Sequence, residues 1–286
     1  TMAHYAGAKR RLLTELNTER SVLNADDASI AAWLPDRPDS WRFSLTPQSA
    51  GRSLWAADIQ YAADGTKFNL HVQAHAGEPV VYPVVSPLLG GFNVYNLLAA
   101  IATLVTLDYD PAAIVAACRQ LHAVPGRMET FGGTEQQPLV IVDYAHTPDA
   151  LQQVLTALRR HCQGTLWCVF GCGGDRDRGK RPQMGAVAAE LADRVVVTDD
   201  NPRTEEPQQI VQDILAGMPR QRQVQVIMGR ENAVRQAIAQ AQPGDVVLLA
   251  GKGHEDYQII GQQRTDYNER ALVAAIMTTA AVERES

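Results

Sequence analysis

A chain of 286 residues has room for two domains at about 100–200 residues each. Its composition, 45% hydrophobic and 20% charged, is that of a soluble globular protein and excludes long disorder or collagen-like repeats. Lysine and arginine number 26 against 32 aspartates and glutamates, for a net charge of −6, and aromatics make up only 6%. No basic or base-stacking surface for nucleic acid is therefore expected. Nor is a membrane partner, because the longest apolar stretch, around Leu97 to Leu107, is too short to cross a bilayer and is interrupted by threonines. Cys118, Cys162, Cys168 and Cys172 have C-x3-C as their closest spacing and lack a second ligand pair for zinc. Reduced, partly buried thiols in a cytoplasmic protein are expected. The chain opens Thr1-Met2-Ala3-His4 inside a helical pattern, as a C-terminal portion of a longer protein would.

Tyr5, Ala8, Leu12, Leu13 and Leu16 fall on one helical face between Met2 and about Asn17. Ser21 to Ala25 reads as a strand, and Ala28 to Leu34 as a helix that Pro35 ends. From Trp41 to Pro87 the pattern shifts to short alternating runs: Arg42 to Leu45, Ile59 to Tyr61, Phe68 to Val72 and Val80 to Val85. Turns at Asp64-Gly65 and Gly77 punctuate them, which predicts a small antiparallel sheet. Gly90-Gly91 leads into a strongly apolar helix from Asn93 to Leu107, and a second helix follows Pro111. Val124-Pro125-Gly126 is the candidate hinge, dividing the chain into domains of residues 1–124 and 125–286. Beyond it, strands at 139–142, 166–170, 194–198, 224–227 and 246–250 alternate with helices at 148–162, 182–191, 206–217, 231–240 and 268–279. These strands are continuous β-branched apolar runs, as expected where helices cover both faces. The second domain should thus be a doubly wound, Rossmann-like α/β fold with ligands at the carboxyl ends of its strands.

That rule selects four loops. Asp143-Tyr144-Ala145-His146, Gly171 to Pro182, Asp199-Asp200-Asn201-Pro202-Arg203 and Gly251-Lys252-Gly253-His254-Glu255 each follow a predicted strand and should share one sheet edge. Their arginines, carboxylates, histidines and glycine-freed amides suit a ligand carrying ammonium and carboxylate groups, or phosphates. Gly171 and Gly173 begin a G-x-G-x-x-G, but Arg176 stands at the third glycine and the strand is not the first of its domain. Four basic against two acidic residues leave that loop locally cationic, which a solvated charged loop also explains. Pro202 stiffens the turn before Arg203, whose planar guanidinium can grip a carboxylate with two parallel hydrogen bonds. Asp200 and Asn201 can accept from an ammonium; an ordinary surface arginine is the plainer alternative. Lys252 lies between glycines like a phosphate-binding lysine, yet G-x-x-x-x-G-K-[ST] occurs nowhere in the chain. His71, His75, His122 and His254 carry structural readings, and neither H-E-x-x-H nor G-x-S-x-G is present. From the residues alone, the reading ends at an α/β domain for a zwitterionic or phosphorylated small molecule.

At these loops the sequence resembles the Mur ligases, ATP-dependent enzymes that add amino acids to the peptidoglycan precursor, and in particular their diaminopimelate-adding branch. Asp199-Asp200-Asn201-Pro202-Arg203-Thr204-Glu205-Glu206-Pro207 is similar to that branch's amino-acid recognition motif. Gly173-Gly174-Asp175-Arg176-Asp177, Asp143-Tyr144-Ala145-His146-Thr147-Pro148 and Gly251 to Glu255 are similar to its other signatures, in order. The resemblance extends over nearly the whole chain. It implies a three-domain plan in which the first domain and the P-loop half of the central ATPase domain are absent here. Residues 1–124 would be the later part of the ATPase domain, with its small antiparallel sheet, and 125–286 the amino-acid-binding domain.

The resemblance further implies ATP and magnesium as cofactors, with meso-diaminopimelate and UDP-N-acetylmuramoyl-L-alanyl-D-glutamate as small-molecule substrates. ATP would phosphorylate the glutamyl carboxylate, and an amine of diaminopimelate would attack the acyl phosphate. Lys9, Arg127 and His146 would be catalytic. Asn93 and Asn96 would approach the nucleotide, Arg127 would reach its phosphates, and Asp143 and His146 would complete that site. Lys9 corresponds to a lysine that the family carboxylates, whose carbamate would help hold magnesium; alone it is a helix-surface lysine beside Arg10 and Arg11. Arg176, Asp200, Asn201, Pro202, Arg203, Gly251 and Glu255 correspond to diaminopimelate-binding positions. Lysine-adding relatives lack the arginine that corresponds to Arg203. Two other readings stand beside this one: a folylpolyglutamate or D-alanyl-D-alanine ligase of the same superfamily, and a non-catalytic binding module without an ATPase. Asp-Asn-Pro-Arg speaks against the first, while the missing P-loop leaves room for the second.

Overall fold

In a computed structural model, contacts partition the chain into Thr1–Tyr61 with Gly65–Leu121 and Ala62–Asp64 with His122–Ser286. The structure describes every residue except 17, 48–50, 75–76, 222 and 286, and the side chains of 2 and 280–285 are likewise left out. Asn17, the expected end of the first helix, and His75 therefore lie outside the described residues.

The first unit opens with α1 (Met2–Thr14), where the Thr1 hydroxyl accepts from the His4 amide at 3.3 Å as an N-cap. After β1 (Val22–Asn24), Asp27 caps the single turn α2 (Ala28–Ala31) by accepting from the amides of Ser29 and Ile30. The helix expected up to Leu34 is thus shorter. Pro35 does not end it but sits in the first turn of a 3-10 segment, Leu34–Asp36, where a missing N–H costs nothing.

Strands β2 (Trp41–Ser44), β3 (Ser53–Ala62), β4 (Gly65–Gln73) and β5 (Val80–Ser86) join β1 in one sheet of order β1-β2-β3-β4-β5. The antiparallel arrangement holds for β4 and β5, whereas β1, β2 and β3 run parallel, so the sheet is mixed. Alternating hydrophobicity reports one covered face and says nothing about strand direction. That face is covered by α3 (Gly91–Thr106), which buries Val94, Leu97, Leu98, Ile101 and Ala102 against Phe43, Leu54, Leu70 and Val84. Asp110 and Pro111 then start α4 (Pro111–Ala117). Among the described residues, no helix is long and apolar enough to cross a membrane.

The second unit alternates strand and helix: β6 (Glu129–Gly132), β7 (Leu139–Asp143), α5 (Pro148–Arg159), β8 (Leu166–Phe170), α6 (Lys180–Leu191), β9 (Arg194–Val197) and α7 (Pro207–Leu215). It continues through β10 (Val224–Val226), α8 (Arg230–Gln240), β11 (Val246–Ala250), the hairpin β12 (Tyr257–Ile260) and β13 (Gln263–Asp266), and α9 (Glu269–Glu285). The sheet order is β10-β9-β8-β11-β7-β6, parallel throughout except for β6 at the edge. Strands β7, β8 and β11 are buried at every position. Val140, Val169 and Val247 pack on Ala233 and Ala237 of α8 and Val273 of α9. Because Ala250 pairs with both Asp143 and Phe170, and Phe170 with Val197, four strands end level and release their loops at one edge.

Candidate functional site

At that edge the buried Asp143 closes β7. One carboxylate oxygen accepts from the Met128 amide at 2.8 Å and the other from the Ala145 amide at 2.7 Å. Asp143 therefore shapes two loops, and it holds Met128 in a left-handed conformation at φ 48°. The next residue, Tyr144, is an aromatic platform. The Arg127 guanidinium lies 4.6 Å from its ring centroid, and the rings of His146 and His254 lie 4.7 and 5.1 Å away. Lys180 donates to the His146 carbonyl at 2.8 Å. Arg127 and His146 are thus brought together, and the structure adds His254 and Lys180 to them.

Gly126 belongs to the same cluster. A Cβ there would come within 2.2 Å of the Gly253 and His254 backbone, and its φ is 69°. The last residue of the candidate hinge is accordingly packed on the loop after β11.

On the neighbouring side, Arg203 is half-buried at φ 51°. Its amide donates to the Ile259 carbonyl at 3.1 Å, and its carbonyl accepts from Gly261 at 2.7 Å. Its Nη1 donates to the Gly174 carbonyl at 2.8 Å and to the Asn201 carbonyl at 3.4 Å. A Cβ on Gly173 would stand 2.8 Å from that nitrogen, so the glycines of the β8 loop make room for the guanidinium. Among the described residues, Nε and Nη2 of Arg203 have no protein partner. Arg176 is exposed, and among the described residues its side chain donates only to the Asp175 carbonyl, at 3.0 Å.

The loops after β8 and β9 are tied by residues the motifs did not single out. Glu205 accepts from the fully buried Arg181 at 2.8 and 3.0 Å and from the Asp175 amide at 2.7 Å, and it pairs with Arg178 at 3.0 Å. Arg181, with the Asp175 amide, holds the Glu205 carboxyl down to about 2. Asp213 shares Arg181 at 2.8 Å.

Asp200, Asn201 and Glu255 converge on Lys252, whose side chain is fully buried. Pro202, also buried, directly follows Asn201. Asn201 donates to Glu255 at 3.0 Å, and its Oδ1 accepts from both Lys252 and the Ile259 amide, so it braces the site. Gly251, at φ 115°, passes beside Asp200 and the buried Arg230, which is paired with Glu269 at 2.6 and 2.9 Å. Burial, reinforced by the Glu269 carboxylate, pushes the Tyr267 hydroxyl up.

In the first unit, Asn93 and Asn96 occupy successive turns of α3. Asn96 donates to Asn93 at 3.1 Å, and Asn93 to the Leu89 carbonyl at 2.8 Å. Lys9 is exposed on α1, 5.5 Å from the Tyr5 ring, and lines a cavity of about 630 Å³ with Leu13, Asp27, Ile30 and Trp33. Among the described residues, no cluster of three His, Cys, Asp or Glu side chains has metal-ligating geometry. The cysteines are free thiols, and burial pushes Cys168 and Cys172 up to about 12.

Two family models match the chain. Residues 1–104 match the Mur ligase middle domain, and residues 126–253 match the Mur ligase, glutamate ligase domain. A solved UDP-N-acetylmuramoyl-L-alanyl-D-glutamate–2,6-diaminopimelate ligase is 40% identical over 100% of this chain, with a TM-score of 0.72. The chain belongs to the Mur ligase family. It spans 57% of the length of that solved ligase. The Mur ligase fold is also that of the UDP-N-acetylmuramate–alanine ligase of Thermotoga maritima, 17% identical over 99% of this chain and 56% of its own, with a TM-score of 0.63. A folylpolyglutamate synthase of Mycobacterium tuberculosis, solved with ADP, is 20% identical over 87% of this chain and 56% of its own, again at 0.63.

Proposed function

We propose that this chain carries the amino-acid-binding part of an ATP-dependent ligase. That ligase joins meso-diaminopimelate to UDP-N-acetylmuramoyl-L-alanyl-D-glutamate through an acyl phosphate. The observation that carries the reading is Arg203. Its guanidinium is anchored through Nη1 while Nε and Nη2 stay available, and the same loop cluster holds the carboxylates of Asp200 and Glu255 on Lys252. A carboxylate takes the open edge of the guanidinium with two parallel hydrogen bonds, and an ammonium takes the carboxylates. Diaminopimelate supplies both groups at its distal end, whereas lysine supplies only the ammonium.

Within this reading residues 1–124 are the later part of the ATPase domain and residues 125–286 the amino-acid domain. ATP supplies the phosphoryl group that activates the glutamyl carboxylate. Arg127, His146, Lys180 and His254 form a cationic and aromatic cluster about Tyr144 that suits the negative charge of phosphates. Asn93 and Asn96 are assigned to the nucleotide, and Lys9, once carboxylated, to the magnesium side. Magnesium is typically held by one or two carboxylates together with substrate phosphates, so a full protein cage is not required.

Calorimetric titration of the chain with meso-diaminopimelate and with L-lysine tests the reading. Binding of the first in clear preference to the second is expected, and equal binding would refute it.

A further inference from the structure

Lys252, between two glycines, has the sequence setting of a phosphate-binding lysine, but its surroundings assign it elsewhere. The side chain has zero exposure, and an ammonium has three protons to donate. Its nitrogen lies 2.7 Å from Asn201 Oδ1, 2.9 Å from the Tyr257 carbonyl, 3.1 Å from Asp200 Oδ1 and 3.4 Å from Glu255 Oε2. Those partners come from the loop after β9, the loop after β11 and the start of β12. No donor is left for a ligand.

The same backbone is laced further along. Gln258 donates to the Asp200 carbonyl at 2.6 Å, the Ile259 amide to Asn201 Oδ1 at 2.9 Å, and the Arg203 amide to the Ile259 carbonyl at 3.1 Å. Asp200 through Arg203 thereby runs beside β12, joined to it by a single parallel bridge at Arg203 and Ile260. Lys252 closes the near end of this lacing, and Arg203 forms its far end.

We propose that Lys252 is a positioning residue for amino-acid selection: a buried counter-ion that holds Asp200, Asn201 and Glu255 in place and so fixes where Arg203 presents its guanidinium. The inference rests on the amino-acid-binding reading given above. Asp200, Glu255 and Lys252 together carry one net negative charge, which matches one ammonium. Without Lys252, two carboxylates that now lie within 3.4 Å of a single nitrogen would face each other with no cation between them. The other charged or titratable groups around them are the buried Cys172 thiol near Asp200, Arg230 beyond Gly251, the Tyr257 ring at 5.7 Å from the Lys252 nitrogen, and Arg264 stacked on that ring. Without Lys252 each carboxylate would raise the other's affinity for a proton, and a proton held there would oppose binding of the ligand's ammonium.

The test is calorimetry of the 286-residue chain with meso-diaminopimelate, as wild type and as Lys252→Met, from pH about 6 to about 8.5. The wild type should bind with little pH dependence. The folded variant should bind on the order of tenfold or more weakly near pH 6 and regain affinity as the pH rises and like-charge repulsion no longer favours a bound proton. A role in folding alone would not create that slope. If Lys252→Met does not fold, Gln258→Ala carries the test, because it cuts one strand of the lacing without removing a buried charge. It should weaken binding several-fold at an unchanged melting temperature. A folded Lys252→Met, or failing that Gln258→Ala, with wild-type affinity and no pH slope would overturn the inference while leaving the functional reading intact. A folded wild type that does not bind meso-diaminopimelate would overturn both.

Discussion

Arg181, fully buried, grips both oxygens of Glu205 at 2.8 and 3.0 Å, and this pair ties the loops after β8 and β9 together. The motif that contains Arg203 is thus supported from behind by a residue on α6. Folding lowers the Glu205 carboxyl to about 2, so the pair's stabilisation is fully present above the unfolded carboxyl's value near 4.3 and is lost as the pH falls toward 2. Glu205→Gln should destabilise the chain by on the order of 2 kcal/mol at neutral pH, with Asp213 still pairing Arg181. The gap between variant and wild type should narrow below pH about 4. Urea denaturation of both proteins across that range checks this, and a gap that widens on acidification would contradict it.

Gly126 meets Gly253 backbone to backbone. A methyl at either position would have to displace main-chain atoms, and both residues have positive φ. Gly126→Ala is therefore expected to cost about 3 kcal/mol or more in a denaturant series. A loss under about 1 kcal/mol, no more than the strain of a left-handed backbone alone, would show that this packing is loose.

Nothing in the sequence forms a P-loop to cradle the β and γ phosphates, although the Tyr144 cluster suits anions. The purified chain should accordingly release no phosphate from ATP above background in the presence of magnesium. Steady, enzyme-dependent release would contradict the assignment of residues 1–124 to the later part of an ATPase domain.

Burial pushes the thiols of Cys168 and Cys172 up to about 12 and also raises Cys118, while Cys162 is partly accessible. A thiol-disulfide reagent at pH about 8 should label at most one cysteine of the native chain and all four after denaturation. Rapid native labelling of Cys168 or Cys172 would mean that the second unit opens readily.

Sequence pattern located the second unit's parallel strands to within a residue or two because a strand covered on both faces must be a continuous apolar run, as Val246–Ala250 is. The β12–β13 hairpin escaped because Gln263–Asp266 is polar and exposed at every position, so no periodicity marks it. That omission matters, since Ile259 and Gly261 hold the backbone of Arg203. The motif residues were legible as charges in loops, but their division of labour was not. Asn201 and Lys252 look like ligand contacts in a string of letters, and only burial reveals that they bind each other. Conversely, Arg181 and Glu205 sit inside the quoted stretches without any signal of a buried pair.

The most direct measurement is calorimetry of wild type and Arg203→Ala with meso-diaminopimelate and L-lysine. Arg203 is half-buried and already donates to two carbonyls, so leaving its open edge unpaired costs on the order of 1.5–3 kcal/mol, less than for a fully buried guanidinium. The wild type should therefore prefer diaminopimelate by roughly ten- to a hundredfold, and the variant should bind both amino acids about equally. A preference that survives unchanged in Arg203→Ala would contradict the central role given to that guanidinium.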